Sequence, residues 1–273
     1  MTPTLSVVLP WLICPTCQRR GCENPLARDG RSLRCPEHHC LDIAKQGYVT
    51  MTSTPAGANA DTVEMIAARQ RVLDAGLFGD LDARLAEILI GRDRIVEVGA
   101  GTGHHLAQVL EAHPDSHGLA SDVSKAAIRR AAKAHPRMAA VVADTWAGLP
   151  IRTGCIDAGL CVFAPRNRDE FARIMKPDGI FVVVTPLPDH LQQLRERTGM
   201  IGIQPHKHDE LMAALASRFT VIGHEELRSE IPLDIQTASA AVAMGPSGHQ
   251  IHNVHVDAMS ITSAVEVTVL SPR

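Results

Sequence analysis

Cys14-Pro15-Thr16-Cys17 places two thiols on one knuckle, and Cys35-Pro36-Glu37-His38-His39-Cys40 offers a second cluster eighteen residues after Cys17. Two ligand pairs separated by a loop of this length match the arithmetic of a structural zinc site. Two thiolates from one knuckle and two ligands from another complete a tetrahedron. Such a shell has no open position, so this metal would hold structure and do no chemistry. The second pair stays open at this level: Cys35 with His39 reads C-x3-H, Cys35 with Cys40 reads C-x4-C, and His38 lies beside both. Cys22 reads as a bystander, and Cys155 and Cys161 fall in an apolar stretch that reads as a buried strand. Disulfides are the competing use of the thiols. The N-terminal MTPTLSVVLPWLIC has neither the basic segment nor the small-residue cleavage site of a secretory signal, so a cytoplasmic, reduced chain with a bound Zn2+ is expected.

A second constellation lies further on. Glu97-Val98-Gly99-Ala100-Gly101-Thr102-Gly103 joins an apolar run to a helical pattern. Glycines there let backbone approach a ligand, which by itself is a weak signal. Asp122 ends the next strand, about twenty residues on, where an acid meets ribose hydroxyls in doubly wound folds. Asp144 ends the third, where a carboxylate can meet an adenine amino group. Acid, glycine turn, acid and acid in this order form the layout of S-adenosylmethionine methyltransferases. A dinucleotide site prefers G-x-G-x-x-G, and here the third glycine falls one residue early. A plain strand–helix turn and a nicotinamide dehydrogenase are the weaker readings.

These groups need elements to position them. Residues 1–50 are loop-rich, hold five of the seven cysteines, and cannot build a useful core without a staple. They read as a zinc-binding module. Residues 51–90 read as a linker (51–62) and two helices, one from Asp61 or Thr62 to Gly76 and one over 80–90. Residues 91–273 read as the cofactor domain. Strands are expected at 94–98, 118–121, 139–143, 155–163, 179–185, 219–223 and 263–270. Helices are expected at 104–113, 124–134, 168–175, within 188–198 and near 208–217, with KPDG (176–179) as a turn. The alternation with fully apolar strands predicts an α/β fold, with a parallel sheet covered on both faces.

Composition limits what remains. Hydrophobic residues at 45% and charged residues at 21% are globular values, and no apolar run reaches the eighteen residues a membrane helix needs. A net charge of −3 argues against nonspecific coating of nucleic acid but leaves room for a local basic face. Aromatics at 3% exclude a protein built around stacking platforms.

The N-terminal cysteine block, LDIAKQGYV (41–49), EMIAARQRVLDAG (64–76), VEVGAGTGHHL, SDVSKAAIRRAAKAHP, FAPRN, KPDG and VVVTPLPDHLQQL together resemble the zinc-containing 23S rRNA (guanine-N1)-methyltransferases. The resemblance spans roughly residues 12–200 and is closest to the actinomycete, tylosin-resistance branch, which modifies a hairpin-loop guanine in domain II of 23S rRNA. It implies a Rossmann-like class I methyltransferase fold, S-adenosyl-L-methionine as cofactor, one structural Zn2+, a 23S rRNA hairpin as partner and a homodimer. It assigns Cys14, Cys17, Cys35 and His39 to the metal, leaving Cys40 spare. It assigns Phe78, Gly101, Thr102 and His190 to the cofactor, beside Glu97, Gly99, Gly103, Asp122 and Asp144. Phe78 stands where the family commonly has Tyr and so lacks the hydroxyl.

Ala164-Pro165-Arg166-Asn167 follows the fourth strand at the cleft mouth, where Arg166 and Asn167 are candidate guanine contacts. No general base is evident. Lys125, Arg129, Arg130, Lys133 and Arg137 make one basic run, and Arg19, Arg20, Arg28, Arg31 and Arg34 decorate the zinc module; both are candidate phosphate contacts. A small-molecule methyltransferase with a zinc-stapled lid is the alternative reading, and a degenerate, non-catalytic RNA-binding module is a third that the intact glycines and Asp122 oppose.

Overall fold

The N-terminal fifty residues make only short elements. In the computed structural model these are helices α1 (Thr4–Val8) and α2 (Pro15–Gln18), strands β1 (Ala27–Asp29), β2 (Ser32–Arg34) and β3 (Cys40–Asp42), and a two-residue strand β4 (Val49–Thr50). The structure describes residues 4–53, 61–200, 202, 207–245 and 256–273, and of 207–210 only the backbone; residues 54–60 of the expected linker lie outside these. Strands β1, β2 and β3 form a small antiparallel sheet, and β4 leaves it to pair in parallel with Val141 and Val142.

Helices α3 (Val63–Asp74) and α4 (Gly79–Ile88) follow. The Thr62 hydroxyl caps α3 by accepting from Met65 N at 3.2 Å, and Gly76, at φ 82°, lets the chain turn after it. The expected alternation is then met almost residue for residue. It runs β5 (Arg94–Val98), α5 (His104–Ala112), β6 (His117–Asp122), α6 (Lys125–Ala134), β7 (Met138–Val142), β8 (Ile156–Val162), α7 (Arg168–Ile174) and β9 (Met175–Pro186). After these come α8 (Gln192–Thr198), α9 (Lys207–Leu215), β10 (Phe219–Leu233), α10 (Ile235–Ala243) and β11 (Met259–Pro272).

Among the described residues the large sheet has eight strands, in the order β10-β11-β9-β8-β5-β6-β7-β4. From β4 to β9 all pairs are parallel; β11 and β10 run antiparallel, so the sheet is mixed where a parallel one was expected. The reason lies in β10. Residues 220–232 are nowhere fully buried along it, and its HEELRSE stretch alternates half-buried with exposed positions, the signature of an antiparallel strand with one face in water. A five-residue strand was expected there because such a sequence has no apolar run. KPDG likewise lies inside β9, as an irregularity: pairing passes from Ile156↔Met175 to Ala158↔Ile180, two steps on β8 against five on β9.

Two apolar clusters flank the sheet. One is built mainly from α3, α4, α5, α6 and α10. On the other face the crossover from β7 to β8 has no helix, and the N-terminal module fills that place. Val8, Trp11, Leu12, Cys14, Cys17 and Leu33 are buried in one cluster with Val96, Val98, Leu119, Val141 and Phe181 of the sheet. Backbone bonds stitch the contact, with Ile13 N donating to Pro150 O at 3.0 Å and Met51 N to Val142 O at 2.8 Å.

Candidate active site and metal centre

Pro15 at the first helical position of α2 fixes Cys14 just before the helix and Cys17 on its one turn. On the other side, Cys35 and His39 flank a tight loop in which His38 N donates to Cys35 O at 2.9 Å and His38 takes φ 62°. His39 Nδ1 lies 3.6 Å from Cys14 Sγ and 3.3 Å from both Cys17 Sγ and Cys35 Sγ; the Cys17 and Cys35 sulfurs are 3.8 Å apart. A zinc tetrahedron with about 2.3 Å metal–sulfur bonds has edges of ~3.8 Å between sulfurs, and slightly less to nitrogen. Cys14, Cys17, Cys35 and His39 are therefore positioned to bind one metal ion. Cys40 is exposed on β3 and stands outside this group, and Cys22 is exposed too. Asn24 Nδ2 donates to Cys17 Sγ at 3.3 Å, a support that a thiolate strengthens.

The second site lies where β5, β6, β7 and β8, all parallel, reach one edge of the sheet. Each glycine after β5 answers a different demand. A side-chain carbon at Gly99 would sit 2.2 Å from Ala164 Cβ, so Gly99 lets the loop after β8 close on the turn. One at Gly103 would meet Met138 at 2.8 Å, so this glycine lets α5 pack. Gly101, at φ 54°, has among the described residues only Arg69 Nη1 nearby, at 3.5 Å from such a carbon, and its amide points at Asp122 Oδ2 at 2.8 Å. The other Asp122 oxygen accepts from Ser124 N at 2.7 Å. Burial raises the Asp122 carboxyl above its usual range against these two amides. Thr102 Oγ1 is buried with no partner among the described residues, a polar atom waiting for a ligand group. The cradle thus fits a ligand with hydroxyl and amino groups, as S-adenosylmethionine has.

Glu97 lies 1% exposed beneath the turn, where Oε2 accepts from Leu106 N at 3.2 Å; burial pushes its carboxyl up to about 8. Asp144 Oδ1 accepts from Trp146 N at 2.9 Å. The rings of Phe78 and His190 stack at 5.9 Å, and Ala264 N donates to His190 Nδ1 at 3.1 Å, which places the ring proton on Nε2. Burial holds His190 down at about 4, so it stays neutral near pH 7.

Sequence reasoning passed over two residues here. Phe163, directly before the loop, packs on Phe78 and His190 at 5.4 and 5.6 Å and has φ 53°. Asp82 on α4 binds both histidines of GTGHH, at 2.9 Å to His104 Nε2 and 2.6 Å to His105 Nδ1, locking α5 to α4. Burial opposes ionisation of Asp82, yet the two imidazoles hold it below the usual carboxylate range. Only the doubled histidine hinted at this, and Asp82 is separated from it by a strand and a turn.

The candidate substrate residues differ from each other. Arg166 Nε is buried without a partner among the described residues. Asn167 caps α7 by accepting from Glu170 N at 3.3 Å and donates to Thr145 O at 2.9 Å, tying the loop after β8 to the loop after β7. Within the basic run Arg137 donates to the carbonyls of Leu110, His113 and Ser116 at the end of α5, and Arg130 to Ile66 O; Arg129, Arg130 and Lys133 line an open groove bounded by α3, α4, α5 and α6.

A doubly wound sheet with a glycine-turn cradle and a Cys3His ribbon on its far face defines a zinc-ribbon methyltransferase of class I fold. The family model of the RlmA N-terminal zinc ribbon matches residues 12–52, and that of a methyltransferase domain matches residues 95–179. The 23S rRNA (guanine(748)-N(1))-methyltransferase of Streptomyces fradiae is 44% identical over 250 residues, 89% of this chain and 88% of its own. A Micromonospora griseorubida protein named for guanine-N1 methylation of 23S rRNA is 40% identical, over 94% of this chain and 92% of its own. The chain belongs to the family of 23S rRNA (guanine-N1)-methyltransferases. Among solved structures, the methyltransferase bound to the Haloferax volcanii Trm112 activator shares the fold, with TM-score 0.50, 19% identity and coverage of 78% of this chain and 98% of that one. No helix among the described residues is long and apolar enough to cross a membrane.

Proposed function

We propose that this chain transfers a methyl group from S-adenosyl-L-methionine to N1 of a guanine in a hairpin loop of 23S rRNA, and that the modification confers tylosin-type resistance. The observation that carries the reading is the intact cradle, in which the Gly101 amide is fixed by Asp122 beside the unpartnered Thr102 hydroxyl, in a chain 44% identical to an enzyme named for that reaction. The sulfonium of the cofactor supplies the driving force when bound, so the protein's part is mainly positioning. Gly99, Gly101, Thr102 and Gly103 seat the cofactor's amino-acid end, with Glu97 supporting the turn from below. Asp122 offers its remaining lone pairs to the ribose, and Asp144 faces the adenine side. Phe78 and neutral His190 wall the methyl-bearing end. Arg166 holds the guanine edge or its developing O6 charge, while Asn167 sets the loop that carries Arg166. Bound there, the cofactor would supply the methyl carbon for N1, and the N1 proton would be released to solvent.

Residues 1–50 serve as the RNA-recognition module through Arg19, Arg20, Arg28, Arg31 and Arg34. The active protein is a cytoplasmic homodimer, and a one-subunit mass by sedimentation under assay conditions would remove that part. The deciding experiment is transfer of labelled methyl to deproteinised 23S rRNA followed by mapping of the modified base. A single N1-methylguanine in a hairpin loop is expected. Methyl on no base, or on another position, overturns the reading.

A further inference from the structure

The chain has eight aromatic residues besides histidine: two Trp, one Tyr and five Phe. Six of them, Trp11, Tyr48, Phe78, Phe171, Phe181 and Phe219, are at most 5% exposed. The other two are Trp146, 65% exposed, and Phe163, 39% exposed. Both stand at the same edge of the sheet. Trp146 lies in the loop after β7 and Phe163 begins the loop after β8, and these strands are parallel.

Three further observations single out this rim. Phe163 has φ 53°, a conformation that costs a bulky side chain about 1–3 kcal/mol and persists only where the surroundings enforce it. Its amide is held by Val184 O at 3.2 Å, and its ring rests on Phe78 and His190, so the ring is packed on one side and partly left in water. The two loops are tied together, since Asn167 Nδ2 donates to Thr145 O at 2.9 Å, directly before Trp146. Cationic charge lies beside them: Arg166 follows three residues after Phe163, with a buried Nε that has no partner among the described residues.

We propose that Phe163 and Trp146 form a stacking rim for unpaired RNA bases, with Phe163 against the target guanine and Trp146 against a second base of the same loop. The proposal rests on the RNA-methyltransferase reading and adds the residues that hold the base. Single-stranded loops are recognised by stacking splayed bases on aromatic side chains with cations beside them, whereas paired RNA buries those base faces. β7 and β8 are three strand spacings apart, about 14 Å at ~4.8 Å each, which a few nucleotides of a loop can span. The occupant is therefore a hairpin loop and not a duplex.

The test uses the full chain and an RNA hairpin carrying the loop of the guanine for which the Streptomyces fradiae relative is named, with the same sequence as a perfect duplex for comparison. Affinity is read by intrinsic fluorescence, since Trp146 is the exposed one of the two tryptophans, and by filter binding; methyl transfer gives KM and kcat. F163A and W146A are each expected to weaken hairpin binding and raise its KM by roughly 5- to 150-fold. F163Y and W146F are expected to restore most of it, because they keep a ring. S-adenosylmethionine affinity, by calorimetry, stays close to wild type, which also reports that the variants fold. Hairpin binding by F163A and W146A at wild-type strength overturns the proposal. Lost cofactor affinity with unchanged RNA affinity also overturns it, because it assigns the rim to the cofactor. If the hairpin quenches Trp146 and F163A weakens binding while the wild type transfers no methyl, the methylation reading falls and the rim stands.

Discussion

The metal centre and the cofactor cleft are built on opposite plans. At the metal centre every ligand atom points at the other three: His39 Nδ1 is within 3.6 Å of all three sulfurs, and each cysteine ligand is buried. In the cleft, polar atoms are left over. Thr102 Oγ1, Ser121 Oγ and Arg166 Nε are buried without partners among the described residues, and Phe163 holds a left-handed backbone with a ring half in water. A site that closes on itself stabilises the fold, and a site that leaves donors and faces unsatisfied is completed by a ligand. Yet the two are mechanically joined, because Cys14 and Cys17 pack in the same apolar cluster as Val96 and Val98, the strand that leads into the glycine turn.

The largest effect expected from that contrast is at the metal. Cys17→Ser removes one ligand from a closed shell whose binding free energy is on the order of 10 kcal/mol. Stoichiometric zinc in the wild type and its loss in the variant are expected by metal analysis. Because the core is shared, the thermal transition of the whole chain should drop, not only that of residues 12–50. A metal-free variant that melts like wild type would separate the two regions, and metal-free wild-type protein purified without chelator would remove the metal altogether.

Next in size is Gly101→Asp. It forces a side-chain-bearing residue to φ 54° at about 1–2 kcal/mol and adds a carboxylate beside Asp122, where the ligand must approach. Calorimetry should show cofactor affinity down by about 100-fold or more with metal content unchanged; equal affinity would mean that the turn is no cradle.

A pH effect of intermediate size follows from Glu97. Burial lifts its carboxyl from 4.5 to about 8. The folded chain keeps a proton that the unfolded chain releases across that window, so the stability contribution is full below pH 4.5 and is lost as pH rises through about 8. Glu97→Gln, neutral throughout, should flatten the fall of Tm with pH over this window. A slope equal to wild type would show that Glu97 is ionised beneath the turn.

The smallest effect belongs to the exposed charges of the ribbon. Neutralising Arg19, Arg20 and Arg34 should lower the salt slope of RNA binding by about one unit for each phosphate that an arginine no longer neutralises, leaving cofactor affinity as in wild type. Arg34 already pairs with Asp29 at 2.6 Å, so its share is the least. An unchanged slope would make these arginines a solvated face, and lost cofactor affinity would make the ribbon a lid.

Legibility in the sequence followed the range of the interaction. Strands β5 to β8 could be read because burial on both faces leaves continuous apolar runs, and Thr62 and Gly76 mark their helix by chemistry local to the chain. The length of β10 and the existence of α10 were not legible. One alternates charged and apolar residues on a half-exposed edge, and the other is a short run of small residues with little amphipathic signal. In the cleft, the glycine turn and Asp122 could be read from their spacing. Asp82, Trp146 and Phe163 could not, because each acquires its meaning from a residue on another element.

The sequence by itself determined that a ribbon with a four-ligand metal site precedes a class I methyltransferase domain, because knuckle spacing, glycine turns and strand hydrophobicity are constraints within a few residues of chain. Ligand spacing left His39 and Cys40 open and the family resemblance chose His39; the tertiary structure shows the reason, a left-handed turn at His38 with β3 carrying Cys40 outward. Only the tertiary structure decided that the ribbon replaces a helix layer over the sheet, and that two of eight aromatic rings stay exposed after β7 and β8 while six are buried. Those outcomes depend on which surfaces meet once the strands have paired, and pairing joins residues far apart along the chain: Thr50 lies beside Val142 only in the folded sheet.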